Sequence, residues 1–120
     1  MDSISESNYA YTPLEKLKRK YQISQKELEI VLALGDAGYF HQKYLRNETG
    51  MRLQELSNNV RRIYNQVGTA SRILKERGLL FKVKKEPTMQ ESERTEYLLS
   101  LQGTKLYQET RLFRDSVVII

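Results

Sequence analysis

The 120-residue chain has no cysteine, one histidine, two prolines and no long apolar run. Without cysteine, disulfides, thiolate metal sites and cysteine nucleophiles are all excluded. The single His41 rules out a histidine-rich metal cluster and makes any Ser/His/Asp device depend on one ring. Beside Tyr39 and Phe40, that ring reads better as an ordinary surface or half-buried side chain. A membrane span needs ~18 consecutive apolar residues, and none are present. The opening MDSISESNYAY has neither the basic start nor the apolar stretch of a signal peptide. The expectation is a protein that acts in the cytoplasm without membrane, metal or cofactor. A chain of this length makes one domain with a modest core, which favours a binding module over an enzyme.

Charged residues make up 29% of the chain and apolar ones 39%, with leucine and isoleucine spread throughout, the composition of a folded protein. The net charge of +5 conceals a segregation. From Arg52 to Lys85 there are nine basic and two acidic residues, a net of +7, which leaves −2 for the rest. A basic block of this kind suits a polyanion, and phosphate backbones are the commonest polyanion in the cytoplasm.

Residues 1–11 are polar and read as a flexible arm, and residues 12–120 read as one domain. Thr12-Pro13-Leu14-Glu15 carries an N-cap, a first-turn proline and a glutamate at the third position, predicting a helix from Pro13 to about Tyr21. Ser24-Gln25-Lys26-Glu27 repeats the capping pattern and opens a second helix bearing Leu28, Val31, Leu32 and Leu34. Gly35 and Gly38 leave its end open, and Tyr39 to Arg46 either continue it or form a short helix. Asn47-Glu48-Thr49-Gly50 reads as a turn. Leu53, Leu56 and Val60 share one face of a two-turn helix. A further helix runs from Tyr64 to about Arg77, with Val67, Ala70, Ile73 and Leu74 as its apolar stripe and Gly78 as its stop. The period then changes to that of strands, "LFKVKK" and "RTEYLLSL", joined by the polar tip "EPTMQESE". Ser100 caps a last helix with Leu106, Thr110, Phe113 and Val117 on one side.

Helix, helix, short turn, helix and hairpin is the order of a winged helix-turn-helix domain, mainly α with a small β-hairpin wing (α+β). The string "LQELSNNVRRIYNQVGTASRILKERGLL" resembles the two-helix core of MarR-type regulators, with Leu56, Val60, Val67, Leu74, Gly78 and Leu79 in the recurring places. "LLSLQGTKL" is similar to the strand-to-helix junction of that family, Ser100 standing for its threonine and Gly103 for its glycine. The likeness spans residues 51–107. Arg61 stands where a glycine is often found between the paired helices, and the family's Asp-x-Arg wing pattern is reduced to Arg94 after a run of glutamates. The resemblance implies sequence-specific DNA binding by a dimer.

The residues support that reading independently. With the stripe of the 64–77 helix turned inward, Asn65, Gln66, Thr69 and Arg72 face mostly outward, and these are side chains able to read adenine, thymine and guanine edges. Arg61, Arg62 and Tyr64 beside the turn suit phosphate contacts, helped by the free amides of the helix start. Lys82, Lys84 and Lys85 extend the basic track along the wing, Lys82 and Lys84 on one strand face. Gly68 costs about 1 kcal/mol relative to alanine in a helix interior, a cost that fits close approach of a phosphate, a base edge or a neighbouring helix. Leu14, Leu17 and Tyr21, with Leu106, Phe113 and Val117, are available for a two-fold interface. The expected protein is a transcriptional regulator without enzymatic activity. A plasmid or viral partition adaptor with the same DNA-binding face is the first alternative, and a winged helix that meets an acidic protein partner is the second.

Overall fold

The computed structural model describes residues 13–40, 49–84 and 95–119, with side chains described through Val83 in the second segment and Leu112 in the third. The arm 1–11, the Thr12 cap, His41, the 41–46 segment, Lys85, the wing tip and Arg94 lie outside the described residues, as do the side chains of Lys84, Phe113 and Val117. The elements are α1 (Pro13–Tyr21), α2 (Gln25–Asp36), β1 (Met51–Arg52), α3 (Leu53–Val60), α4 (Tyr64–Glu76), β2 (Leu80–Lys84), β3 (Thr95–Leu99) and α5 (Leu101–Ile119).

Each helix begins and ends where local chemistry dictates. Ser24 adopts an extended backbone, and its Oγ accepts from the Glu27 amide at 3.3 Å, capping α2. That helix stops at Asp36, resolving the open end of the sequence reading. The chain then turns outward through Gly38, and Phe40 forms a parallel bridge to Leu99. α4 stops at Gly78, whose φ of +77° lets the Leu79 amide reach back to the Leu74 carbonyl at 2.9 Å.

α2 is the central post. Leu28, Ile30, Val31 and Leu34 are buried, and they meet Leu56 of α3, Val67, Ala70 and Leu74 of α4 and Leu106 of α5 in one core cluster. Each buried leucine, isoleucine or valine among them contributes roughly 1.5–3 kcal/mol. The sheet has three strands in the order β1-β3-β2, all antiparallel. The sequence reading had only the hairpin. The added strand is two residues long, Met51 opposite Tyr97 and Arg52 opposite Glu96, and it leads directly into α3.

α5 is joined to α2 by a close approach. Gly35 lies against the Tyr107 ring, where a methyl group would overlap the ring carbons. Tyr107 Oη donates to Asp36 Oδ1 at 2.7 Å, and its ring tilts against Phe40 at 5.6 Å between centroids. Tyr21 Oη donates to Glu109 Oε2 at 3.3 Å, tying α1 to α5; burial first, then the Glu109 charge, raises that phenol above its ordinary pKa.

These contacts revise the expected dimer residues. Leu106 is fully buried in the protomer's own core, and Leu17 is also buried. Leu14 and Tyr21 are half-buried. Among the described residues of α5 the exposed large apolar side chains are Leu101 and Leu112, at 63% and 68%. Leu106 therefore belongs to the fold and not to a surface.

Candidate nucleic-acid interface

α4 is built two-sided. Val67, Ala70, Ser71 and Leu74 are buried, and Ile73 is half-buried. Asn65, Gln66, Thr69 and Arg72 are all exposed on the other side. Thr69 Oγ1 donates to the Asn65 carbonyl at 3.0 Å, which orients its hydroxyl back along the helix. No side chain caps the start of α4, where Ile63 occupies the cap position, so the helix N-terminus keeps its partial positive charge available to anions.

The turn before α4 is short because Arg61 takes the left-handed conformation, φ 56° and ψ 45°. It adopts the geometry usually given to glycine, so replacing glycine by arginine does not lengthen the turn. Ser57, buried, locks the turn from below: its Oγ donates to the Arg62 carbonyl at 2.6 Å and its carbonyl accepts the Arg62 amide at 3.2 Å. Arg61 is exposed. Ile63, 66% exposed, stands between the two arginines and Tyr64, an apolar group on a basic surface. The apolar stripe pattern did not single it out, because it lies outside both helices.

Arg62 is placed differently from its neighbour. Its Nε and one terminal nitrogen each donate to Glu29 at 2.9 Å. This two-point link pulls the Glu29 carboxyl below its ordinary pKa and raises that of the guanidinium, against the partial burial of both. Glu29 also accepts from Gln25 Nε2 at 3.3 Å, Gln25 Oε1 accepts from Lys18 Nζ at 3.0 Å, and Lys18 pairs with Glu15 at 2.7 Å. A polar chain thus runs from the turn across α2 to α1. The sequence reading gave Arg62 a phosphate role; the fold already uses two of its donors, so Arg61 is the more available cation of the turn.

The sheet completes the surface. Lys82 lies opposite Tyr97 and Lys84 opposite Thr95, in register with the buried pair Leu80 and Leu99, so Lys82 and Lys84 occupy positions on the sheet face that looks toward α4. Between that face and α4 is a cavity of about 540 Å³. Among the described residues its basic lining is Arg72, Lys75 and Lys82, and Gly68 and Tyr64 border it from the helix. Lys75 was not among the residues selected from sequence, since only the pairing of helix with sheet brings it beside Lys82.

Two helices joined by a tight turn, the second displaying polar side chains beside a three-stranded wing, define a winged helix-turn-helix protein. Its fold is that of the MarR-type regulators. S. aureus MepR in a DNA complex is similar at a TM-score of 0.65 and 16% identity, over 96% of this chain and 82% of that one. NadR in complex with 4-hydroxyphenylacetate gives 0.66 and 19%, over 96% and 72%. CouR from Rhodococcus jostii RHA1, bound to p-coumaroyl-CoA, gives 0.61 and 12%, over 87% and 64%. No protein-family model and no curated protein matches the chain.

Proposed function

We propose that this protein is a cytoplasmic transcriptional regulator that binds duplex DNA as a homodimer, with α4 of each protomer in a major groove. The observation that carries the reading is the division of α4: its aliphatic ridge is buried while an amide pair, a hydroxyl and a guanidinium are exposed together. Asn65 and Gln66 suit adenine, Arg72 suits guanine, and Thr69 suits the thymine methyl. Arg61, the open start of α4 and Lys82 supply sequence-independent phosphate contacts. The MepR–DNA complex offers a precedent for this fold on a duplex. One α4 covers too few base pairs for useful selectivity, and a two-fold pair covers a palindromic site.

The test is selection of bound fragments from a random duplex pool, followed by fluorescence titration of the winner at two salt concentrations. The expected result is a two-fold-symmetric site and a logarithmic salt slope of about −0.9 for each phosphate neutralised. Arg72→Ala should relax base preference at one position per half-site, losing about 1–3 kcal/mol of discrimination there. Lys82→Ala should weaken all duplexes alike and flatten the salt slope. Affinity indifferent to salt, or the same phenotype from both variants, would end this reading.

A further inference from the structure

Among the described residues nothing packs against Gly68 closely enough to require glycine. Its backbone is not in the positive-φ region, and a methyl there would meet, of the described atoms, only Leu53 Cδ2, at 3.4 Å, an ordinary contact. The helix bears the cost of glycine without any relief inside the protomer. What the absent side chain does is keep open the cavity between α4 and the sheet, which Gly68 borders.

That cavity has a definite chemistry. Among the described residues that line it, three cations from two elements, Arg72, Lys75 and Lys82, oppose one carboxylate, Glu76. Tyr64, Tyr97 and Leu53 also line it, as does Thr95, 5% exposed. Cations and apolar lining together suit an anion carried on a compact ring.

We propose that the cavity seats one sugar-phosphate unit of the bound DNA strand where it passes between α4 and the wing, and that Gly68 admits it. The phosphate meets Lys75 and Lys82, the deoxyribose lies over Gly68 against the tyrosine rings, and Glu76 opposes the contact. Arg72 belongs both to the cavity and to the exposed face of α4, so a strand held here is continuous with the one being read. The inference rests on the DNA-binding reading above and adds to it a defined backbone seat with a gatekeeping residue.

The experiment uses the full chain and the duplex selected by the wild type. Gly68→Ala and Gly68→Leu are compared with wild type by thermal unfolding, duplex titration and phosphate-ethylation interference. The Ala variant should melt at or above the wild-type temperature. The Leu variant should lose about tenfold or more in affinity per protomer, the equivalent of one charge-assisted contact. Ethylation of one phosphate per half-site should block the wild type yet make no difference to Gly68→Leu. Glu76→Gln should tighten binding. If the wild type binds duplex but Gly68→Leu binds equally well with the same interference pattern, the seat is refuted and the DNA reading survives. If the wild type binds no duplex, both fall. Deoxythymidine monophosphate serves as the free-ligand probe: binding that Gly68→Leu abolishes, with duplex affinity unchanged, assigns the cavity to a free small anion and overturns the backbone seat.

Discussion

The contact between Gly35 and Tyr107 makes a sign-reversing prediction. Gly35→Ala places a methyl inside the Tyr107 ring position, and Tyr107 is 4% exposed, so the ring has little room to retreat. Forced repacking of a filled site costs about 1–3 kcal/mol. Withdrawing the ring also breaks the Tyr107–Asp36 hydrogen bond, worth about 1 kcal/mol. Against this stands a helix-propensity gain of up to about 1 kcal/mol for replacing glycine within α2. The net is a loss of about 1–3 kcal/mol. In a Tyr107→Ala background, itself less stable by about 3–5 kcal/mol, the obstacle is gone and only the propensity gain remains. Gly35→Ala should then be neutral or stabilising, a coupling of about 2 kcal/mol between the two positions. Urea unfolding followed by circular dichroism, at one protein concentration, measures all four corners of the cycle. Equal costs for Gly35→Ala in both backgrounds would refute the packing account.

Three further outcomes follow from the geometry of the turn and of α5. Arg61→Gly relieves a left-handed non-glycine residue and should stabilise the fold by up to about 1 kcal/mol while weakening DNA binding as much as Arg61→Ala does; chemical denaturation and duplex titration separate the two effects. The Glu29 carboxyl titrates below its ordinary 4.5 because Arg62 hydrogen-bonds its charged form. Its contribution is therefore present above that value and lost as pH falls through the lowered one. The stability difference between wild type and Glu29→Gln should accordingly be visible at neutral pH and shrink in acid, and a difference that grows in acid contradicts the link. Leu112→Asp, on the exposed side of α5, should leave the melting of the protomer fold nearly unchanged and shift sedimentation equilibrium toward monomer; an unchanged mass moves the interface elsewhere.

Much of the fold is legible because it is written in local chemistry. The Ser24 cap, the Gly78 stop and the three- and four-residue spacing of Val67, Ala70 and Leu74 each act within one or two turns of chain. For the same reason the outward set Asn65, Gln66, Thr69 and Arg72 could be found without coordinates. Features that depend on distant partners could not. The Met51–Arg52 strand has no periodicity to detect, and it exists only because Tyr97 and Glu96 offer an edge. Glu29 and Arg62 are 33 residues apart, so nothing local distinguishes Arg62 from its exposed neighbour. Leu106 reads as an amphipathic stripe in either setting, and whether the protomer or a partner covers such a stripe is decided by how α5 crosses α2. Ser71, fully buried though polar, runs against the binary pattern altogether.

Ser100 sits where three elements meet. Its Oγ donates to the Gly78 carbonyl at 2.6 Å and accepts the Gly103 amide at 3.0 Å, while its own amide donates to the Leu79 carbonyl at 3.0 Å. The Gly78 stop of α4 and the first turn of α5 are thus pinned to one side chain. α5 runs on for 19 residues, about 28 Å at 1.5 Å per residue, and is held a second time at Tyr107 against α2. A displacement of α5 that tilts its first turn therefore reaches the end of α4 through a single hydroxyl, with no other element between them.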